Sequence, residues 1–147
     1  MNFNPKTFCK VVTCLSGTLG TGAQNGASID TEGWGQLLVT SHLEDDGTAG
    51  TMDVKLQESA DNSTWADITG ATITQLSGGT AVTGQTFSVR KDSRKRYIRA
   101  VATIGTNAVE GHVVAVLMAP EESSRAPAAA NWVEVGALPD PVSSSFA

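Results

Sequence analysis

The sequence predicts an all-β protein: an antiparallel β-sandwich, jelly-roll-like, with extended N- and C-terminal arms. Three observations carry this. Short apolar–polar alternations recur along the chain, of which Met52-Asp53-Val54-Lys55-Leu56-Gln57 is the clearest; a period of two residues belongs to a strand with one wet face. Turn residues separate these runs at short intervals, and no stretch holds a helical period. Only 17% of the 147 residues are charged and 5% aromatic, with 15 glycines, a balance that suits strands and tight turns.

A chain of this length forms one domain with a real core. "LSGTLGTGAQNGASIDTEG", residues 15–33, reads as extended or looping, with a short strand near Ala27 to Ile29. "GQLLVTSHL" (Gly35 to Leu43) is a strand that ends at the Asp46-Gly47 turn signal. Met52 to Ile68 reads as a hairpin. Asp61 and Asn62 supply its turn, because both side chains bond their own backbone and tolerate left-handed geometry. Trp65 belongs to the packing of that turn rather than to a ligand platform. Residues 71–84 hold a short strand and the Gly78-Gly79 turn, and Gln85 to Arg90 forms a further strand. In Tyr97 to Ile104, Ile98, Ala100 and Ala102 oppose Tyr97, Arg99 and Val101, and Glu110 to Met118 closes the domain. Seven or eight sequential antiparallel strands make a sandwich.

The boundaries follow: an N-terminal arm and lead-in over 1–26, the sandwich over 27–118, and a Pro/Ala-rich C-terminal arm over 119–147. The last segment holds four of the five prolines, yet also Trp132, Val133, Val135, Leu138 and Phe146. Such groups are poor company for a solvated tail and favour an arm that docks on a neighbour. Phe3 and Phe8 give the N-terminal end the same character.

No catalytic residues are expected. The chain has no phosphate-binding glycine loop, no HExxH and no GxSxG elbow. No metal or other cofactor is expected either. Cys9 and Cys14 lack further Cys or His partners nearby and read as reduced thiols, His42 and His112 form no ligand pattern, and the acids of the turns lack a calcium loop's spacing. The N-terminal apolar run is short and interrupted, which argues against a signal peptide, and nothing reaches membrane-spanning length. Net charge is −5, which argues against nucleic acid as partner. The charge is unevenly spread: Arg90 to Arg96 together with Arg99 carries six of the ten basic residues. An oriented basic surface on an acidic protein can steer an acidic partner.

"IDTEGWGQLLVTSHLED", "GTMDVKLQESADNSTWADI" and "KRYIRAVATI" resemble segments of small structural proteins of tailed bacteriophages, the capsid decoration (cement) and minor head proteins. The resemblance covers residues 27 to 118. It implies a non-enzymatic virion protein made in the host cytoplasm that binds the capsid exterior and stabilises the mature shell by bridging subunits of the major capsid protein. It also implies a trimer at three-fold positions. The partner-binding residues expected on this reading are Phe3, Phe8, Trp132 and Phe146 as apolar anchors, with Arg94, Arg96 and Arg99 as salt-sensitive contacts. Three other readings stand beside it: a head-tail junction protein; a carbohydrate- or receptor-binding sandwich, which needs two or more aromatics on a single face or loop set, with Trp34, Trp65, Phe87 and Tyr97 available outside the arms; and a generic β-domain whose partner is unrelated to a phage.

Overall fold

A computed structural model of the chain describes residues 8–44, 49–78, 83–91 and 94–120. Ten strands are present: β1 (Cys9–Leu19), β2 (Gly22–Asn25), β3 (Ile29–Asp30), β4 (Trp34–Leu43), β5 (Thr51–Ser59), β6 (Ala66–Thr72), β7 (Leu76–Ser77), β8 (Thr83–Arg90), β9 (Tyr97–Gly105) and β10 (Val109–Pro120). They form a four-stranded sheet in the order β1-β10-β4-β8 and a six-stranded sheet whose path is β2-β9-β5-β6, with β3 on β9 and β7 on β5. Every pairing among the described residues is antiparallel. Setting aside the two-residue strands β3 and β7, the eight longer strands fall in the order one-eight-three-six and two-seven-four-five. This is the double Greek key of a jelly roll.

Alternation decides which side chains meet between the sheets. Leu37, Val39, Leu43, Val113, Ala115 and Leu117 face inward from one sheet, and Met52, Val54, Leu56, Ile98, Ala100 and Ile104 from the other, all buried. Each fully buried large aliphatic contributes about 1.5–3 kcal/mol. Few rings enter this core, so small and β-branched side chains let the sheets approach.

The hairpin forms as its residues require. Asp61 Oδ1 accepts from Ser59 Oγ (2.8 Å) and from the backbone N–H groups of Ser63 (2.9 Å) and Thr64 (2.8 Å), and Asn62 takes φ 61°. These donors hold the Asp61 carboxyl far below the usual carboxylate range, the Thr64 and Ser63 backbone bonds acting most strongly.

Two boundaries need correction. Residues 9–25, expected to belong to an arm, are β1 and β2; β1 is eleven residues long and pairs with β10 from Cys9↔Met118 to Leu19↔Val109. Polar residues mask its pattern because β1 is an edge strand, and a register shift between Thr13 and Leu15 breaks the period. At the other end β10 runs to Pro120, paired with Trp34, two residues beyond the expected limit. The 27–118 domain is therefore an underestimate at both ends. Val101, expected on the wet face, is buried there between Asn25 and Lys55.

Candidate interface at one pole of the sandwich

Strand direction gives the jelly roll two unlike poles. Loops 26–33 and 60–65, with Lys91 and residues 94–96, gather at one, which we call the terminal pole, because β1 begins there and β10 ends there. Cys9 lies opposite Met118 and Trp34 opposite Pro120, so β1 begins and β10 ends at this pole on adjacent strands. The basic segment lies beside them.

Arg96 is the best-held of its side chains. It donates to Asp30 through Nε (2.9 Å to Oδ1) and Nη2 (2.8 Å to Oδ2), and Nη2 also lies 3.1 Å from Glu32 Oε2. Its guanidinium stacks over Tyr97, 5.2 Å from the ring centroid. The Arg96 hydrogen bonds hold the Asp30 carboxyl down at about 2, and the same contact raises the guanidinium further. Beneath this pair, buried Thr31 donates through its backbone N–H (3.0 Å) and its hydroxyl (2.5 Å) to the Arg96 carbonyl. The side-chain fork and this backbone clamp join loops 65 residues apart.

Arg94 and Arg99 are placed differently. Arg94 lies 3.8 Å from Glu58, whose carboxylate also accepts from the Lys95 backbone N–H at 3.1 Å. Arg99 stands on the outer face of the six-stranded sheet. It donates twice to Gln57 Oε1 (2.9 and 2.8 Å) and covers the Trp65 ring at 4.5 Å. Gln57 in turn donates to Asp67 (2.7 Å), which pairs with Lys55 (2.8 Å). The half-buried Trp65 ring is thus capped by the molecule itself, in keeping with a packing role.

Of the seven residues expected to bind a partner, four lie within the described residues: Phe8, half-buried just before β1, and Arg94, Arg96 and Arg99, each in contact within the fold. Phe3, Trp132 and Phe146 lie outside the described residues. Sequence reasoning missed Asp30, Glu32 and Glu58, the acids that order the basic segment. No local pattern could have found them, because the pairing exists only once β3, β5 and β9 are side by side.

The opposite pole differs in charge. It carries Glu110, which accepts from Thr18, and Glu44, 3.6 Å from His112 Nε2. Among the described residues it has no lysine or arginine. Cys14, in the bulge of β1, is buried at 6% exposure, and burial pushes its thiol up to about 11. Among the described residues no three His, Cys, Asp or Glu side chains are grouped to hold a metal ion.

The architecture defines a class, the antiparallel jelly-roll sandwich, and comparison with known proteins agrees at the level of fold. No protein-family model matches the chain, and no curated protein matches it in sequence. Among solved structures it is similar to the PBSX exported protein XepA, with a TM-score of 0.57 and 17% identity over 76% of this chain. It is also similar to VP2 of the infectious bursal disease virus subviral particle, with a TM-score of 0.52 and 9% identity over 75% of this chain. The chain spans 38% of the length of XepA and 32% of that of VP2.

Proposed function

We propose that this protein is a non-enzymatic structural component of a phage virion, a decoration protein that binds the outside of the capsid and bridges subunits of the major capsid protein. One observation carries the proposal. β1 begins and β10 ends at a single pole, next to Arg94 and Arg96, so the segments that carry the expected apolar anchors are joined to the body on that side. The described part of the opposite pole, with Glu44 and Glu110 and no lysine or arginine, would face outward. The resemblance of residues 27–118 to decoration and minor head proteins supports this reading. So does the fit of the fold to shells, since VP2, a subviral-particle protein, shares it.

Mechanism follows from geometry. The rigid sandwich acts as a spacer, and Phe3, Phe8, Trp132 and Phe146 anchor in seams of the shell. The Asp30–Arg96 and Glu58–Arg94 pairs hold these two arginine side chains in place before contact, which lowers the ordering cost of binding. A site created only in the mature shell adds binding free energy to that state alone, and symmetry multiplies many modest contacts. Trimers at three-fold positions are the arrangement that the resemblance implies.

Electron microscopy of purified virions tests the proposal. Density for the jelly roll on the capsid surface, terminal pole inward and in hundreds of copies, is expected. Absence from the particle sinks the reading, and about a dozen copies at one vertex replaces it with a head-tail junction role. Removal of residues 121–147 is expected to weaken attachment while leaving the sandwich folded.

A further inference from the structure

The chain's two histidines lie far apart in sequence, yet the fold sets them directly opposite each other: His42 of β4 pairs with His112 of β10. Glutamates stand opposite each other two positions along, where the Glu44 N–H donates to the Glu110 carbonyl at 2.8 Å. Ser41, Leu43 and Val113 are buried between the sheets. Alternation therefore turns His42, Glu44, Glu110 and His112 to the outer face of the four-stranded sheet. Two imidazoles and two carboxylates thus form a two-by-two block at the pole away from the basic segment. The residues paired with them on the flanking strands are small and uncharged: Ser16 and Thr18 on β1, and Gly84 on β8.

His112 Nε2 stands 3.6 Å from Glu44 Oε1, too far for a hydrogen bond. Zinc bonds of about 2.0–2.1 Å to nitrogen and oxygen place two ligands of one tetrahedral ion roughly 3.4 Å apart, so this pair has the spacing of ligands that share a metal. His42 leans the other way. Its ring lies against Gly84, where a Cβ would come 3.1 Å from Cδ2 and 4.0 Å from Nε2, so the glycine leaves the imidazole room. Among the described residues no third ligand joins the pair as the side chains stand. Directly opposite residues of antiparallel strands have Cα atoms only about 4.5–5.5 Å apart, and a change of χ1 between staggered rotamers carries His42 across. We propose that His112, Glu44 and His42 bind one divalent transition-metal ion of the zinc class, His42 closing the site as the ion enters. Water takes the fourth position, or Glu110, which accepts from the Thr18 hydroxyl. Imidazole and carboxylate together favour such an ion over calcium or magnesium, which take oxygen ligands. The ion ties β4 to β10, at the pole opposite the proposed capsid contact, and its binding does not depend on that contact.

The test uses the full chain in solution, with no shell present, so its failure is separate from that of the capsid proposal. The chain has only two histidines, and NMR can follow both rings. Zinc chloride is expected to shift the ring signals of His42 and His112 together, EDTA to reverse the shift, and calcium chloride to leave both in place. Loss of an outer-shell partner already weakens metal binding roughly 10–100-fold, so His42→Ala and His112→Ala should each raise the zinc dissociation constant at least about tenfold in calorimetric titration. Cys9→Ser should leave it unchanged. Zinc should also raise the urea midpoint of the wild type, since it binds the folded state, and not that of His42→Ala. Ring signals that stay in place, zinc affinity that survives both alanine variants, a calcium response equal to that of zinc, or loss of binding in Cys9→Ser overturns the proposal.

Discussion

The two long sides of the sandwich are both closed by edge strands, yet they end differently. On one side β1 passes through residues 20–21 into β2, so a single stretch of chain serves both sheets. There the Ala27 N–H donates to the Cys14 carbonyl at 3.0 Å and the Gly26 N–H to the Ala100 carbonyl at 2.8 Å, stitching the sheets together. On the other side β7 lies between β6 and β8 in sequence, and a cleft of about 320 Å³ lined by residues of both strands remains between them. A chain that crosses directly from sheet to sheet keeps their edges within hydrogen-bond reach. A chain that first finishes a hairpin leaves them apart. Closure is thus a matter of connection length as much as of composition.

The largest effect is expected on the closed side. A Cβ on Gly26 would sit 2.9 Å from the Ala100 carbonyl oxygen and 3.1 Å from that of Cys14, and backbone cannot yield as a side chain can. Gly26→Ala should cost about 1–3 kcal/mol, read as a lower urea midpoint. The open side should tolerate more: Phe87→Ala, at a half-buried wall position, should cost less than the 3–5 kcal/mol typical of a buried phenylalanine. A Phe87 variant more damaging than the Gly26 variant would reverse the comparison.

Cysteine chemistry probes the same closure. With its thiol pushed up to about 11 by burial, Cys14 should resist thiol reagents at pH 8 until the fold opens, since the thiolate is the nucleophile. Rapid native labelling of Cys14 would show that the stitched side opens locally.

The smallest effect concerns acid. The Asp30 carboxyl falls from 3.8 to about 2 in the fold, chiefly through its hydrogen bonds from Arg96. A lowered folded value means that the unfolded chain binds the proton more readily. The contribution is therefore full above pH 4 and lost as pH falls toward 2. Both side chains are close to half exposed, so solvent screening keeps the effect small. Asp30→Asn should flatten the stability profile in that window, and an unchanged profile would remove the pair from the account of the terminal pole.

Much of the fold was legible because alternation and turn chemistry are local. Met52 to Ile68 folds as the hairpin its residues describe, and Asn62 takes the left-handed conformation expected of it. Expectation failed at β1, an edge strand of mixed composition with a bulge at Cys14, where a two-residue period cannot show. It also failed for the basic segment, which looked like a free patch because its acids lie far off in sequence.

By itself, the sequence determined most of the strand content, the turn at Asp61 and Asn62 and the faces that could be buried, because each depends on neighbours within a few residues. Which strands pair across the two Greek keys, the meeting of the start of β1 with the end of β10 at one pole, the coupling of Asp30 to Arg96 and the contrast between a stitched and an open side were decided only by tertiary structure. These depend on contacts between residues tens of positions apart, and no local periodicity encodes them.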